Sequence, residues 1–202
     1  MNLMTRTELK KKALDQLKGN WTQAVLVCFV FGILIGCGGS MRLLMPTLHS
    51  LRFNMLSFLY AGTLAYGLHK YFLNLKRRET NSFETLFSGF SSIYWKTVLL
   101  GVLMGIFVVL WSLLLVVPGI IAMIRYSQAW FIMADDPKLT PTEAIEKSKQ
   151  MMYGHKWRYF VLCLSFIWWV LLCCITVGIG LLWLAPYIQT TVANFYDELK
   201  SN

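Results

Sequence analysis

The chain has 202 residues, of which 56% are hydrophobic and 14% charged, and its mean hydropathy is +0.54. A typical soluble domain has about 45–50% apolar and about 25% charged residues, so a soluble enzyme, a disordered chain and a fibrous repeat are disfavoured. The net charge of +9 would suggest a nucleic-acid partner in a soluble protein, but these cations lie between long apolar runs and no nucleic-acid-binding motif is present. The composition therefore predicts a polytopic membrane protein.

Three short polar segments that precede apolar runs predict amphipathic helices at the cytoplasmic surface or the membrane interface, over residues 5–20, 82–91 and 140–153. In the first segment either Thr5 or Thr7 can cap the helix. In the third segment, Thr140 is followed by a proline and by Glu143 three residues on, which is a strong signal for a helix start. We expect all three helices to lie on the same side of the membrane.

Apolar runs long enough for a hydrocarbon core of about 30 Å predict six spans, at residues 22–39, 55–73, 97–117, 119–134, 159–177 and 181–196. A loop is expected over residues 40–54 and a polar tail after the last span. Pro118 and Gly119 predict a tight reversal after the third span, and Pro186 predicts a kink or hinge in the sixth. The expected fold is thus all-α, with six transmembrane helices as three hairpins in a single integral membrane domain.

Basic residues are concentrated on one side of these predicted spans, whereas the connections on the opposite side carry only Arg42 and Arg52. Because Lys and Arg are retained on the cytoplasmic side, both termini are predicted to be cytoplasmic. The same cations are expected to face the anionic headgroups of membrane lipids.

Glycines recur at positions that indicate helix packing. Gly32 and Gly36 form one small-xxx-small pair and Gly101 and Gly105 another, and such pairs allow two helices to approach closely. A glycine followed by a tryptophan also precedes the first span of each predicted hairpin, which indicates a threefold repeat, at 19–21, 89–95 and 154–157. The alternative is that any hairpin protein places these residues at the membrane boundary.

A candidate binding site centres on Arg125, which falls near the middle of the predicted fourth span with Gln128 three residues on. A cation at that depth costs a few kcal/mol and should face protein or water. Tyr187, Gln189 and Asn194 offer polar groups in the predicted sixth span. We expect these side chains to converge in a cavity where Arg125 binds an anionic headgroup, a peptide carboxylate or an ion. The alternative is that Arg125 snorkels or is satisfied by helix-end carbonyls.

Catalytic and metal-binding patterns are missing from the sequence. The five cysteines lie in apolar segments without ligand spacing, the three histidines are scattered, and no nucleophile, zinc or phosphate-loop motif is present. The acidic pair Asp135-Asp136 is interpreted as the solvated end of the fourth span, with a cation site or pairing with Lys138 and Lys156 as the alternatives. The sequence therefore predicts a protein that is not an enzyme and has no metal or cofactor.

Two long segments of the chain resemble a known family. The runs VPGIIAMIRYSQAWFIMADDP at 117–137 and TVGIGLLWLAPYIQTTVANFYDEL at 176–199, with the opening RTELKKKALDQLKGNW, resemble the bacterial family called domain of unknown function nine-seven-five. That family is similar in outline to the membrane domain of glycerophosphoryl diester phosphodiesterases. No phosphodiesterase domain is present, so no such catalysis carries over. The resemblance implies the fold, the topology and a bacterial cytoplasmic membrane.

Two functions are compatible with these features. The first is a non-enzymatic protein for immunity, self-resistance or envelope protection against a membrane-active peptide or toxin. The second is a small transporter or a lipid-binding, lipid-handling membrane protein. A cavity around Arg125 would favour the second, whereas a packed bundle would favour the first. A third hypothesis is a subunit of a larger complex, with another membrane protein as its partner.

Overall fold

The computed structural model describes residues 3–44, 49–79, 81–175, 178 and 180–201, with the backbone alone for 36–44, 49–59, 114, 116 and 174. This part of the chain is all-α. A 3-10 helix at Phe83–Phe90 lies between α3 and α4, and the α-helices are α1 Arg6–Leu17, α2 Trp21–Leu44, α3 His49–Arg77, α4 Tyr94–Leu114, α5 Val116–Tyr126, α6 Ala129–Asp135, α7 Pro141–Met151, α8 Lys156–Leu164, α9 Ile167–Ile175 and α10 Leu181–Ser201.

The short helices begin where local signals place them. In α1 the Thr5 side chain accepts a hydrogen bond from the Glu8 backbone, and the Glu8 side chain accepts one from the Thr5 backbone, so Thr5 is the cap and not Thr7. Thr140 and Glu143 form the same reciprocal capping box at the start of α7. The segment predicted at 82–91 forms the 3-10 helix, a tighter winding than expected.

The number of membrane spans differs from the six predicted. By length and apolar composition, two segments of the described chain can cross a membrane, Tyr94–Leu113 and Lys156–Cys173. A third span exists if Arg6–Leu17 and Trp21–Ile35 act together, although a bend of 101° separates them. The described residues thus have two or three candidate spans, and the prediction of six transmembrane helices in three hairpins is wrong for this part of the chain.

Three predicted spans are not among the candidate spans of the described chain, and their apolar residues lie largely against other helices. The second lies in α3, whose residues from Leu64 to Leu75 are largely buried in the core. The fourth is interrupted at Ser127 and Gln128, and α6 beyond the interruption is buried along nearly its whole length. The sixth forms the first part of α10, whose later residues are buried against other helices. Hydropathy alone does not distinguish burial in protein from burial in lipid.

Several helix boundaries also differ from the predicted ones. The loop expected at 40–54 is largely helical, because α2 continues to Leu44 and α3 begins at His49. The segment predicted as one span at 159–177 has a turn after Leu164 that separates α8 from α9. The expected polar tail is helical to Ser201, as the last turns of α10.

The predicted reversal between α4 and α5 occurs before its proline. The break is at Leu115, which is extended, and Pro118 lies in the first turn of α5. Gly119 packs directly on α4, because a Cβ there would lie 2.2 Å from the Ser112 Oγ. Pro186 lies buried inside α10, and the Thr190 hydroxyl donates a hydrogen bond of 2.8 Å to its carbonyl.

Two of the predicted packing glycines, Gly32 and Gly101, do not make the tightest contacts among the described glycines. A Cβ on Gly32 would meet no described atom within 4 Å, and one on Gly101 would make ordinary contacts of 3.6 Å with Trp130 and 3.7 Å with the Gly62 Cα. Gly105 is half-buried, and Gly36 lies outside the residues whose side chains are described. Closer approaches occur in α3 and the 3-10 helix. At Gly62, Gly67 and Gly89, an added Cβ would come within 3 Å of neighbouring backbone.

Exposed apolar side chains cover α4, α9 and the beginning of α10, as expected for surfaces that face lipid. At the start of the two candidate spans stand Trp95 and Trp157, which are 75% and 74% exposed. An aromatic ring that is apolar at one end and polar at the other favours the membrane–water boundary. Both candidate spans therefore begin with a residue typical of the membrane–water boundary.

Candidate functional site

A pocket of about 430 Å³ lies where α1 and the residues before it meet the ends of α3 and α10. It combines four cationic side chains with two carboxylates, and we call it the basic pocket. Its lining consists of Met4, Lys12, Lys76, Arg77, Asn194, Asp197, Glu198, Lys200 and Ser201.

The N-terminal helix forms one wall of this pocket because it is packed onto the protein. Leu9, Ala13 and Leu17 form a fully buried stripe along α1. Gln16 and Asn194 exchange two amide hydrogen bonds, of 3.0 and 2.8 Å. These apolar residues of the predicted interfacial helix are therefore covered by protein, whereas Lys11 and Lys12 remain exposed.

An arginine bridge joins three helices at the wall of the pocket. Arg77, in α3, donates from Nη1 to Asp135 at the end of α6 over 2.6 Å, and from Nη2 to Asp197 in α10 over 3.1 Å. Lys76 pairs with the other oxygen of Asp197. The Asp135 and Asp197 side chains are only 11% and 14% exposed. Little water reaches these carboxylates, so their negative charges are stabilised mainly by the paired cations.

Asp135 is held in its ionised form by its neighbours. Partial burial by itself would raise the pKa of this carboxyl, but hydrogen bonds from Arg77, Lys200 and the Tyr196 hydroxyl outweigh that effect. They lower the pKa of Asp135 from 3.8 to about 2. The pKa of Lys76 is also lowered, first by burial and then by the positive charges of Arg77 and Lys12. The pocket therefore crowds cations closely enough to disfavour one another.

A second pairing connects a candidate span to the pocket. Arg158, in the first turn of α8, donates from Nη2 to both oxygens of the nearly buried Glu198, over 2.8 and 2.7 Å. Glu198 also accepts the backbone N–H of Met4, and Arg158 donates to the carbonyl of Met4. The Arg158 guanidinium lies 5.2 Å from the centre of the Phe195 ring. These contacts hold the residues before α1 between α8 and α10.

The family can now be assigned. The family model described as "Protein of unknown function (DUF975)" matches residues 1–124 and 112–202, and thus the whole chain. The chain belongs to the DUF975 family. No curated protein and no solved structure matches it. The resemblance inferred from the sequence is confirmed, and because the DUF975 description assigns no activity, function has to be argued from the site.

The predicted site residues of this DUF975 protein are spread over several places. Asn194 lines the basic pocket. The Arg125 carbonyl accepts a hydrogen bond of 2.7 Å from Ser148 in α7, and the Arg125 Nε is buried without a partner in the described structure. Gln128 is fully buried and its amide donates over 3.0 Å to the neighbouring serine hydroxyl. Arg125 thus lies beside a helix that was predicted to be cytoplasmic.

The other predicted residues occupy α10 before the pocket. Gln189 is half-buried there, and the Tyr187 ring stands edge-on to Phe166 with centroids 5.3 Å apart. Their role in ligand binding stays a prediction. Sequence reasoning missed the pocket because it assigned Lys76 and Arg77 to membrane topology and Asp135 to a solvated helix end. One signal in the sequence could have indicated the pocket: a basic cluster and three carboxylates all lie at the ends of apolar helices.

No group of three or more His, Cys, Asp or Glu side chains in the described ranges is arranged to hold a metal ion. The chemistry that the pocket offers the DUF975 protein is instead that of ammonium and guanidinium groups, which bind phosphate and carboxylate oxygens.

Proposed function

We propose that this DUF975 protein is a non-enzymatic membrane protein that binds the phosphate-bearing headgroups of anionic lipids. The observation that carries the proposal is the basic pocket, in which four cations face two carboxylates. Arginine supplies a planar pair of donors for phosphate oxygens and lysine supplies a point charge.

The place of the pocket supports a lipid as the source of the phosphate. At the start of α4, the Lys96 Nζ donates to the carbonyls of Pro137 and Lys138, over 3.0 Å each, just after Asp135 of the arginine bridge. At the start of α8, Arg158 pairs with Glu198 of the pocket lining. The second candidate span thus begins beside the pocket and the first beside the residues that follow Asp135, at the end that the distribution of charge predicts to be cytoplasmic. The cytoplasmic leaflet carries the anionic lipids that attract such basic groups.

Lys12 is the pocket cation best suited to recruit a ligand. Lys76, Arg77 and Lys200 each have a carboxylate partner. Lys12 is exposed, and the contact seen for its ammonium group is the Met4 sulfur at 3.6 Å. A lipid phosphate at Lys12 would relieve the repulsion between the pocket cations without breaking the arginine bridge.

The test is to replace Lys12 by glutamine and to measure thermal unfolding in nanodiscs of phosphatidylcholine alone and with phosphatidylglycerol. Phosphatidylglycerol is expected to raise the unfolding temperature of the wild type, and Lys12→Gln to remove part of that rise. One basic group near the surface contributes about 1 kcal/mol, which corresponds to roughly 2–4 °C for a chain of this size.

Lys147→Gln is the matched control, because Lys147 is exposed on α7 and lies outside the pocket lining. It makes the same change in net charge and should keep the response to phosphatidylglycerol. Equal responses of the two variants would show that general surface charge, and not the pocket, determines the effect of the lipid.

Envelope protection is the second candidate function, and the exposed tryptophans of the apolar surface favour it. Trp168 and Trp169 in α9 and Trp183 in α10 present large rings away from the protein core. We propose that this surface binds a membrane-active peptide within the bilayer, as an immunity protein would. Vesicles that contain the protein should then leak less dye when a pore-forming peptide is added, and Trp168→Ala should reduce the protection. Equal leakage from vesicles with and without the protein would rule this function out.

A further inference from the structure

Five aromatic side chains form a continuous row beside the start of α4. Their consecutive ring centroids are 5.7, 6.4, 6.1 and 5.4 Å apart. The three phenylalanines are 39–46% exposed and the tryptophan is 75% exposed. We call this the aromatic row, and it consists of Phe83, Phe87, Phe90, Tyr94 and Trp95.

The row cannot turn inward, because the 3-10 helix that carries it is fixed against α3. Leu86, between the phenylalanines of this helix in the chain, is fully buried. The Leu86 carbonyl oxygen would lie 1.8 Å from a Cβ on Gly67, and the Thr63 carbonyl oxygen 2.4 Å from a Cβ on Gly89. Backbone packed this closely leaves no room for rotation about the helix axis. The close packing of the 3-10 helix on α3 therefore keeps the phenylalanines exposed.

We propose that the aromatic row lies in the boundary between the headgroups and the hydrocarbon of the bilayer, as an anchor parallel to the membrane plane. The row runs without a break into Tyr94 and Trp95, which begin a candidate membrane span. Aromatic rings are favoured at this depth, and an exposed apolar face on a short helix is typical of in-plane membrane binding. With about 2 Å of rise per residue, the 3-10 helix would add an anchor of about 16 Å beside the span.

The row fits a lipid surface better than a protein partner for a physical reason. Its exposed edge includes Glu84, Ser91 and Ser92 next to the phenylalanines, so polar groups can stay in the headgroup layer while the rings enter the hydrocarbon. None of the row residues lines the basic pocket. This inference therefore stands independently of the proposed headgroup binding.

The experiment places the photoreactive residue p-benzoyl-phenylalanine at position 87 of the full chain in phosphatidylglycerol-containing nanodiscs. Irradiation should attach phospholipid to the protein, which intact-mass spectrometry measures as an added lipid mass. The same residue at position 147, on the polar surface of α7, is the control and should give at least tenfold less lipid adduct. A second probe at position 90 repeats the test if the first lowers the yield of folded protein.

A lipid adduct at positions 87 and 90 that exceeds the control supports the anchor. Equal lipid labelling at the control position overturns it, as does a crosslink to a second copy of the chain or to another polypeptide. Irradiated protein without any adduct also overturns it, because a ring inside the bilayer has lipid within reach.

Discussion

Replacement of Arg77 by glutamine is expected to lower the unfolding temperature of the detergent-solubilised protein by roughly 6–12 °C. The change removes the guanidinium from both carboxylates and leaves Asp135 with Lys200 and Asp197 with Lys76 as their remaining cations. Removal of one partner from a largely buried ion pair costs about 3 kcal/mol, and each kcal/mol corresponds to about 2–4 °C in a chain of 150–250 residues. Thermal unfolding monitored by circular dichroism measures the effect.

Arg78→Gln is the matched control, since Arg78 is the next residue along the chain and its side chain is exposed. It should change the unfolding temperature little, because exposed charges contribute little to stability. Unfolding temperatures that fall equally in the two variants would contradict a structural role for the arginine bridge.

The dependence of stability on pH is a second test of the arginine bridge. The pKa of Asp135 is lowered in the folded protein to about 2, against an ordinary value of 3.8. A lowered carboxyl pKa stabilises the folded state at pH values above the ordinary pKa, and that contribution is lost as the pH falls through the folded pKa. The wild type should therefore lose stability between about pH 4 and about pH 2. In Arg77→Gln this loss should be smaller, because the pKa of Asp135 lies closer to its unfolded value.

Replacement of Gly67 by alanine is expected to prevent the 3-10 helix from docking on α3. The added Cβ would lie 1.8 Å from the Leu86 carbonyl oxygen and 2.9 Å from the Leu86 Cα. These are backbone atoms, and no side-chain rotation can move them away. The loss of folding free energy should therefore exceed the value of about 1–3 kcal/mol that is typical of an overpacked core. We expect a large loss of folded protein, measured as the monodisperse fraction in size-exclusion chromatography after membrane extraction.

Gly32→Ala makes the same chemical change where the described residues leave space, because a Cβ at that position would meet none of their atoms within 4 Å. Alanine is favoured over glycine in a helix by about 1 kcal/mol, so this variant should be as stable as the wild type or more so. A Gly32→Ala variant that is lost as completely as Gly67→Ala would show that Gly32 packs closely against a helix outside the described residues.

Helix starts could be predicted well because their causes are local. The caps of α1 and α7 each depend on two residues three apart in the chain, Thr5 with Glu8 and Thr140 with Glu143. The tryptophans before the two candidate spans, and the apolar runs that follow them, are likewise contiguous signals. Membership of the DUF975 family was also evident from contiguous sequence.

The number of spans could not be predicted in this way. Protein and lipid both select apolar side chains, so the hydropathy of α3, α6 and α10 is compatible with either environment. Packing decides between them: Tyr66, Tyr71 and Phe131 are fully buried within the protein, whereas Leu113 and Ile175 face outward. Arg125 illustrates the same difficulty, because its predicted membrane depth assumed one unbroken helix where the chain forms α5 and α6.

Composition and local spacing therefore establish that this protein is basic, helical and rich in long apolar segments, since each of those properties is a sum or a short-range pattern along the chain. The basic pocket depends on contacts that the chain makes over long distances. Arg77 reaches carboxylates 58 and 120 residues away, and Gln16 pairs with Asn194, 178 residues away. Such pairings depend on which helices pack together, because the packing of the core determines which distant side chains come within hydrogen-bond distance of each other.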